Sequence, residues 1–236
     1  MKNKNKLFIV PAVAPLVFII CTFICMSIYS GGTKFNNAAK GYTFLDNFFS
    51  DLGRTVAWSG EKNYLSSAIF CFACSFVAIN LVLYFTLTMS YFHKTNSTYI
   101  YVKIGAISGI ISAMHFLGVG LTPGDLLRDL HYYCVFVAFG AIIVTGACYV
   151  PVVYNNNGLD NIYGHALVVF LVATTIYFLI ISIGPGLNTS EGFHFQVVSQ
   201  KIIIYIMMLN MSLQAYAMYR FAKVKDKLRA KSWLQD

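Results

Sequence analysis

Six apolar runs, each long enough to cross a bilayer, restrict what this chain can fold into. A hydrocarbon core of about 30 Å takes about 20 residues of helix, and lipid offers no partner to an unpaired backbone amide. The runs at 7–29, 64–88, 101–120, 131–153, 165–183 and 200–219 therefore predict an all-α integral membrane bundle of six transmembrane helices, one domain over 1–236. Composition agrees: 58% of the 236 residues are hydrophobic and 11% are charged, against about a quarter charged in soluble domains. Mean hydropathy is +0.65.

The net charge of +8 does not point to nucleic acid, because of where the cations lie. Lys2, Lys4 and Lys6 precede the first run, and Arg220, Lys223, Lys225, Lys227, Arg229 and Lys231 follow the last. The positive-inside rule then places both termini in the cytoplasm of a multi-pass protein of the plasma or cell membrane, its basic tail beside anionic lipid. The first run exceeds a signal-peptide core and is read as a retained span. All six cysteines fall inside apolar runs. Cys71 and Cys74 have redox-motif spacing but no basic neighbour to lower a thiol pKa, so they read as small packing residues.

The longest connection, 30–63, carries the most patterned polar stretch, Tyr42 to Arg54. Leu45, Phe48, Phe49 and Leu52 recur at helical spacing opposite Asn47, Ser50, Asp51 and Arg54. This predicts a short amphipathic helix at the outer membrane surface, with Thr43 and Asp46 as a capping box and Gly53 as its end. The preceding GGTKFNNAAKG reads as flexible, and Trp58 as an interface anchor. On the third run, Gly105 and Gly109 permit close helix packing, and Ser108, Ser112 and His115 share one face. After the Pro123-Gly124 turn, Asp125, Arg128 and Asp129 stand close enough for a local ion network, and His131 opens the fourth run. Asn80 and Asn210 are deep amides.

Topology decides which of these groups can meet. His115 and His131 belong to the outer end, whereas His165 belongs to the inner end, so three histidines cannot share a zinc shell. A metal is not expected; the one arrangement left is the pair His115 and His131 with Asp51 or Asp125. Ser50, Asp51, Arg54, His115, Asp125, Arg128 and His131 are expected to converge at the outer face. They form either a structural network, in which Asp51 pairs with Arg54 or Arg128, or a receiver for a lipid head group. If the protein is an enzyme, Asp51, His115 and His131 are the candidate catalytic groups of a hydrolase acting on that head group. No nucleophile elbow, His-Glu-x-x-His pair, phosphate loop or dinucleotide fingerprint occurs. No cofactor is implied, paired broken spans for transport are missing, and membrane lipid is the expected partner.

Some of these residues resemble a known pattern. Phe48-Phe49-Ser50-Asp51-Leu52-Gly53-Arg54 with Asn63 and Ser66, the Gly120-Leu121-Thr122-Pro123 turn before His131, and the polar pair Gln200-Lys201 opening the last run together resemble the DUF998 family of six-span membrane proteins. Thr122-Pro123 replaces that family's aromatic-Pro turn, and Gln200-Lys201 replaces its Glu-Arg pair. The family is similar in layout to the Frag1/DRAM/Sfk1 proteins, which are linked to lipid handling, lipid anchors or autophagy. The DUF998 family itself has no settled activity, so the resemblance implies a fold and almost no mechanism. Likeness to seven-span metal-dependent membrane hydrolases is opposed by the split histidines and the six runs.

Overall fold

The computed structural model describes residues 4–92 and 97–232, with side chains through 228. Lys2, His93 and Lys94 lie outside the described residues, as do the side chains of Arg229 and Lys231. A 3-10 lead, Lys4–Phe8, runs into α1 (Ile9–Ile28). Then follow α2 (Tyr64–Tyr91), α3 (Tyr99–Leu121), α4 (Arg128–Tyr154), α5 (Asn161–Ile183) and α6 (Ser190–Ser232). Among the described residues, six helical stretches have the length and composition to cross a membrane. The all-α six-span bundle stands as predicted.

Consecutive helices are neighbours all round, and α6 closes the bundle by packing on α1 and touching α2. Short connections between long helices favour this up-and-down order. Both described ends lie on one face: the Phe8 and Tyr91 rings are 5.8 Å apart, and Lys225 Nζ donates to Tyr91 O at 3.0 Å. The 29–63 connection caps the opposite face, here called the loop face.

The largest departure from expectation is α6. It starts at Ser190, ten residues before the predicted span at 200, so most of the expected loop before it is helix. Only residues 184–189 remain a connection.

Close packing around α3 follows its small residues. Ser108 Oγ meets Thr145 Oγ1 at 2.9 Å, and Ser112 Oγ donates to Ala138 O at 2.8 Å, so this face is turned to α4. A Cβ on Gly109 would press into the Phe85 ring. That ring is buried and held by Tyr84 at 5.1 Å and Tyr149 at 6.1 Å. Small residues replace a hydrophobic driving force where the surroundings are lipid. Gly109→Val is therefore expected to cost about 1–3 kcal/mol through overpacking. Gly124→Ala, whose added Cβ meets nothing within 4 Å, should stay within about 0.5 kcal/mol. Circular dichroism melts in detergent check this; equal melting temperatures would mean that α2 and α3 do not meet at this glycine.

Candidate functional site

Between α1 and α2 the chain forms a folded cap rather than a continuous amphipathic helix. Helical bonding is confined to a turn at 44–46 and a five-residue 3-10 helix, Phe49–Gly53. The stretch expected to be flexible is anchored instead. Gly32 has a φ of +83°, and a Cβ there would collide with the Trp58–Ser59 backbone. Only glycine combines that left-handed conformation with so close an approach.

The cap replaces helical bonding with side-chain bonding, and Asn47 is its knot, with 0% exposure. Its Oδ1 accepts from Thr43 N at 2.9 Å. Its Nδ2 donates to Gly32 O at 3.0 Å and to Asp51 Oδ2 at 3.3 Å. Asp51 also accepts from Phe48 N at 2.9 Å and from the Trp58 indole at 3.0 Å. The expected Thr43–Asp46 capping box is thus displaced by Asp51 reaching back to Phe48. Burial pushes the Asp51 carboxyl above the usual carboxylate range, while the Trp58 indole, the Arg54 charge, the Asn47 amide and the Phe48 N–H oppose the rise.

Two residues of α6 pin this cap. Gln200 Oε1 accepts from Phe49 N at 2.8 Å. Lys201, 3% exposed, donates through Nζ to Asn47 O. The same ammonium faces the rings of Phe49 at 4.8 Å, Phe44 at 5.1 Å and Tyr42 at 5.3 Å. A cation buried at the edge of a membrane span is costly unless a carbonyl and aromatic faces replace its water. The connection after α3 is tied in by Asp125, whose carboxylate accepts from Thr55 N at 3.0 Å, Thr55 Oγ1 at 2.6 Å and Val56 N at 3.0 Å. Partial burial raises the Asp125 carboxyl, but these donors outweigh it and hold the group below its ordinary range.

Beneath the cap lies a chamber of about 670 Å³, within the size range of ligand pockets. Its walls are apolar and aromatic, including Phe70, Phe116, Val135, Phe139, Tyr177 and Ile204. Its rim is polar, with Lys34, Asp51, Arg54, Asp125, Arg128 and Gln196. From Gln196 to Met208 along α6, helix rise gives a depth of about 18 Å. At Val77, Met207 and Met208 it meets a second pocket of about 60 Å³, which Thr145, Tyr149, Asn210 and Gln214 help to line.

Of the seven residues expected to converge, Ser50, Asp51, Arg54, Asp125, Arg128 and His131 all line this chamber. His115 does not: its Nδ1 bonds Ile111 O at 2.8 Å, and its ring rests on Tyr133 at 5.8 Å. Asp51 forms no ion pair with Arg54 or Arg128. Arg54 lies over the Trp58 ring at 3.9 Å instead. The expected Asp125–Arg128–Asp129 ion network is not made either, since Asp125 is turned to Thr55 and Val56. His131 places Nδ1 2.8 Å from Thr122 O, so in the neutral ring that nitrogen carries the proton. The nearby Thr122 hydroxyl donates to Gly118 O at 2.7 Å and is not poised as a nucleophile. Among the described residues, no three His, Cys, Asp or Glu side chains could together hold a metal ion. His165, at the far face, bonds Tyr154 Oη at 2.7 Å. Lys34, Thr55 and Gln196 were not singled out from sequence, and nothing in their local pattern marks them. Lys201 carried a visible signal, a charge opening an apolar run, and Trp58 proved to be the Asp51 donor.

Removing Asp51 strands buried donors, so Asp51→Ala should cost about 1–3 kcal/mol. Lys40→Ala, exposed in the same connection, should change stability by less than about 0.5 kcal/mol; melting in detergent compares the two. Asp125 has a folded-state pKa below its ordinary 3.8. Its contribution is therefore present above that value and is lost as pH falls through the folded pKa. Asp125→Asn should lower the melting temperature at pH 7, and the gap to the parent protein should narrow toward pH 3.

No family model, curated protein or solved structure matches this chain.

Proposed function

We propose that this protein is a non-enzymatic lipid-binding or lipid-sensing membrane protein whose loop-face chamber holds one amphiphilic lipid. The observation that carries this reading is the pairing of an apolar chamber of about 670 Å³ with a polar rim at the end of the spans. Burying a chain against aromatic walls supplies the favourable transfer energy, and the rim keeps a head group solvated and oriented. The depth of about 18 Å exceeds half of a hydrocarbon core of about 30 Å. A lipid with its head at the rim would thus lie at its natural depth. By the basic flanks of the first and last spans, the rim belongs to the outer leaflet. The 48–54 motif resembles that of the DUF998 family, whose layout is similar to the lipid-linked Frag1/DRAM/Sfk1 proteins.

A head-group hydrolase is the competing reading. It would need a nucleophile or a metal beside His131, whose Nδ1 is engaged by the Thr122 carbonyl.

Native mass spectrometry of the full chain in mild detergent tests the proposal. A one-to-one lipid adduct is expected. Ile204→Trp, which fills the chamber from its wall, should reduce the adduct at least about fivefold while the protein still melts cooperatively. Absence of any adduct in the parent protein overturns lipid binding, and a stoichiometric metal would promote the hydrolase.

A further inference from the structure

The charges on the chamber rim are not arranged alike. Both acidic groups are turned to the protein's own donors: Asp51 to the Trp58 indole, Phe48 N and Asn47 Nδ2, and Asp125 to Thr55 and Val56. The three cations, Lys34, Arg54 and Arg128, form no ion pair with a carboxylate among the described residues. Among the described residues the ion pair found is His194 with Asp46, at 3.0 Å, and neither group lines the chamber.

Each cation keeps donors to spare. Arg54 spends Nε on Val56 O at 3.1 Å and rests on Trp58, leaving the other guanidinium protons, of five in all, uncommitted to a carboxylate. Lys34 gives one of its three protons to Leu187 O at 2.7 Å. Arg128, exposed at the first turn of α4, lies near the Tyr132 ring at 5.8 Å, and the Tyr132 side chain, with Asp129 beside it, engages the guanidinium. Burial, and then the charge of Arg128, pull the Lys34 ammonium below its ordinary range. Three cations thus share one rim with two carboxylates that are already engaged by the protein's own donors, and the start of α4 adds its positive pole.

We infer that the rim is an anion site: Lys34, Arg54 and Arg128 take the phosphate or carboxylate head of the amphiphile whose chain fills the chamber. This deepens the lipid-binding reading and rests on it. A choline or other cationic head would gain from the aromatic rings but would meet three positive groups. An uncharged head would leave the spare donors of these groups without an anionic acceptor. Guanidinium pairs also match the oxygen geometry of phosphate and carboxylate, which a lone ammonium does not.

The test uses the full chain in neutral detergent, with Trp58 fluorescence as the readout in a Trp233→Phe background. The probes are a lysophosphatidic acid, a monoacylglycerol with the same chain, and inorganic phosphate. The lysophosphatidic acid should bind at least about tenfold more tightly than the monoacylglycerol. Arg128→Gln should remove most of that preference, and added salt should weaken it. Lys40→Gln, away from the rim, should leave it intact. Arg128 is exposed, so its replacement should not unfold the chain; an unchanged melting temperature verifies this. Equal affinity for both amphiphiles overturns the anion site and leaves lipid binding standing. Inorganic phosphate binding as tightly as lysophosphatidic acid supports the anion site but removes the lipid reading. Binding by none of the three overturns both.

Discussion

The loop face depends on the complete satisfaction of Asn47. This side chain is fully enclosed, and an enclosed amide without partners costs several kcal/mol in an apolar setting. Its Oδ1 accepts from Thr43 N and its Nδ2 donates to Gly32 O and Asp51 Oδ2, while the Asn47 backbone carbonyl accepts from the Lys201 ammonium and the Tyr42 hydroxyl. One residue therefore joins the start of the cap, its 3-10 helix and the last span. Neither the buried cation of α6 nor the buried carboxylate of the cap would be tolerable without that link.

The cap explains the chamber below it. Helices of a bundle normally close over their own axis, and the large aromatic side chains here would favour collapse. Phe49 is instead held at the rim by Gln200 through its backbone N–H, and its ring packs on Phe18 at 6.3 Å and Tyr205 at 5.8 Å. Gly53 lies against Phe70, and Ser66 and Ser67 of α2 donate to Leu52 O and Gly53 O. The cap is thus bonded to α2 and α6 at its edges, and it spans the chamber without filling it.

This arrangement also separates the two signs of charge. Carboxylates suit the job of collecting backbone and indole N–H groups, because each oxygen accepts more than one bond. Asp51 and Asp125 do that work. The guanidinium and ammonium groups cannot accept, so they remain at the rim over aromatic faces, Arg54 on Trp58 and Lys34 on Phe193.

The sequence by itself determined the six-span bundle, because a bilayer accepts only long apolar segments whose backbone is bonded internally. It also determined that Asp51, Arg54, Asp125, Arg128 and His131 share one end, since turns between spans of fixed length assign each residue to a face. Partner choice was decided only by the tertiary structure. The Tyr42–Arg54 stretch has helical periodicity, yet its N–H groups are taken by Asn47, Asp51 and Gln200 and its carbonyls by Tyr42 and Lys201 rather than by a helix, and a 3-10 turn results. His115 shares an end with His131 but not a direction, because its face is committed to α4 and Tyr133. Lys34, distant in sequence from Arg128, reaches the same rim only because the connection after α1 folds back over α6, held by the Leu187 carbonyl. Periodicity and span length act within a segment. Contacts between Asn47 and Lys201, 154 positions apart, belong to the packing of segments on one another.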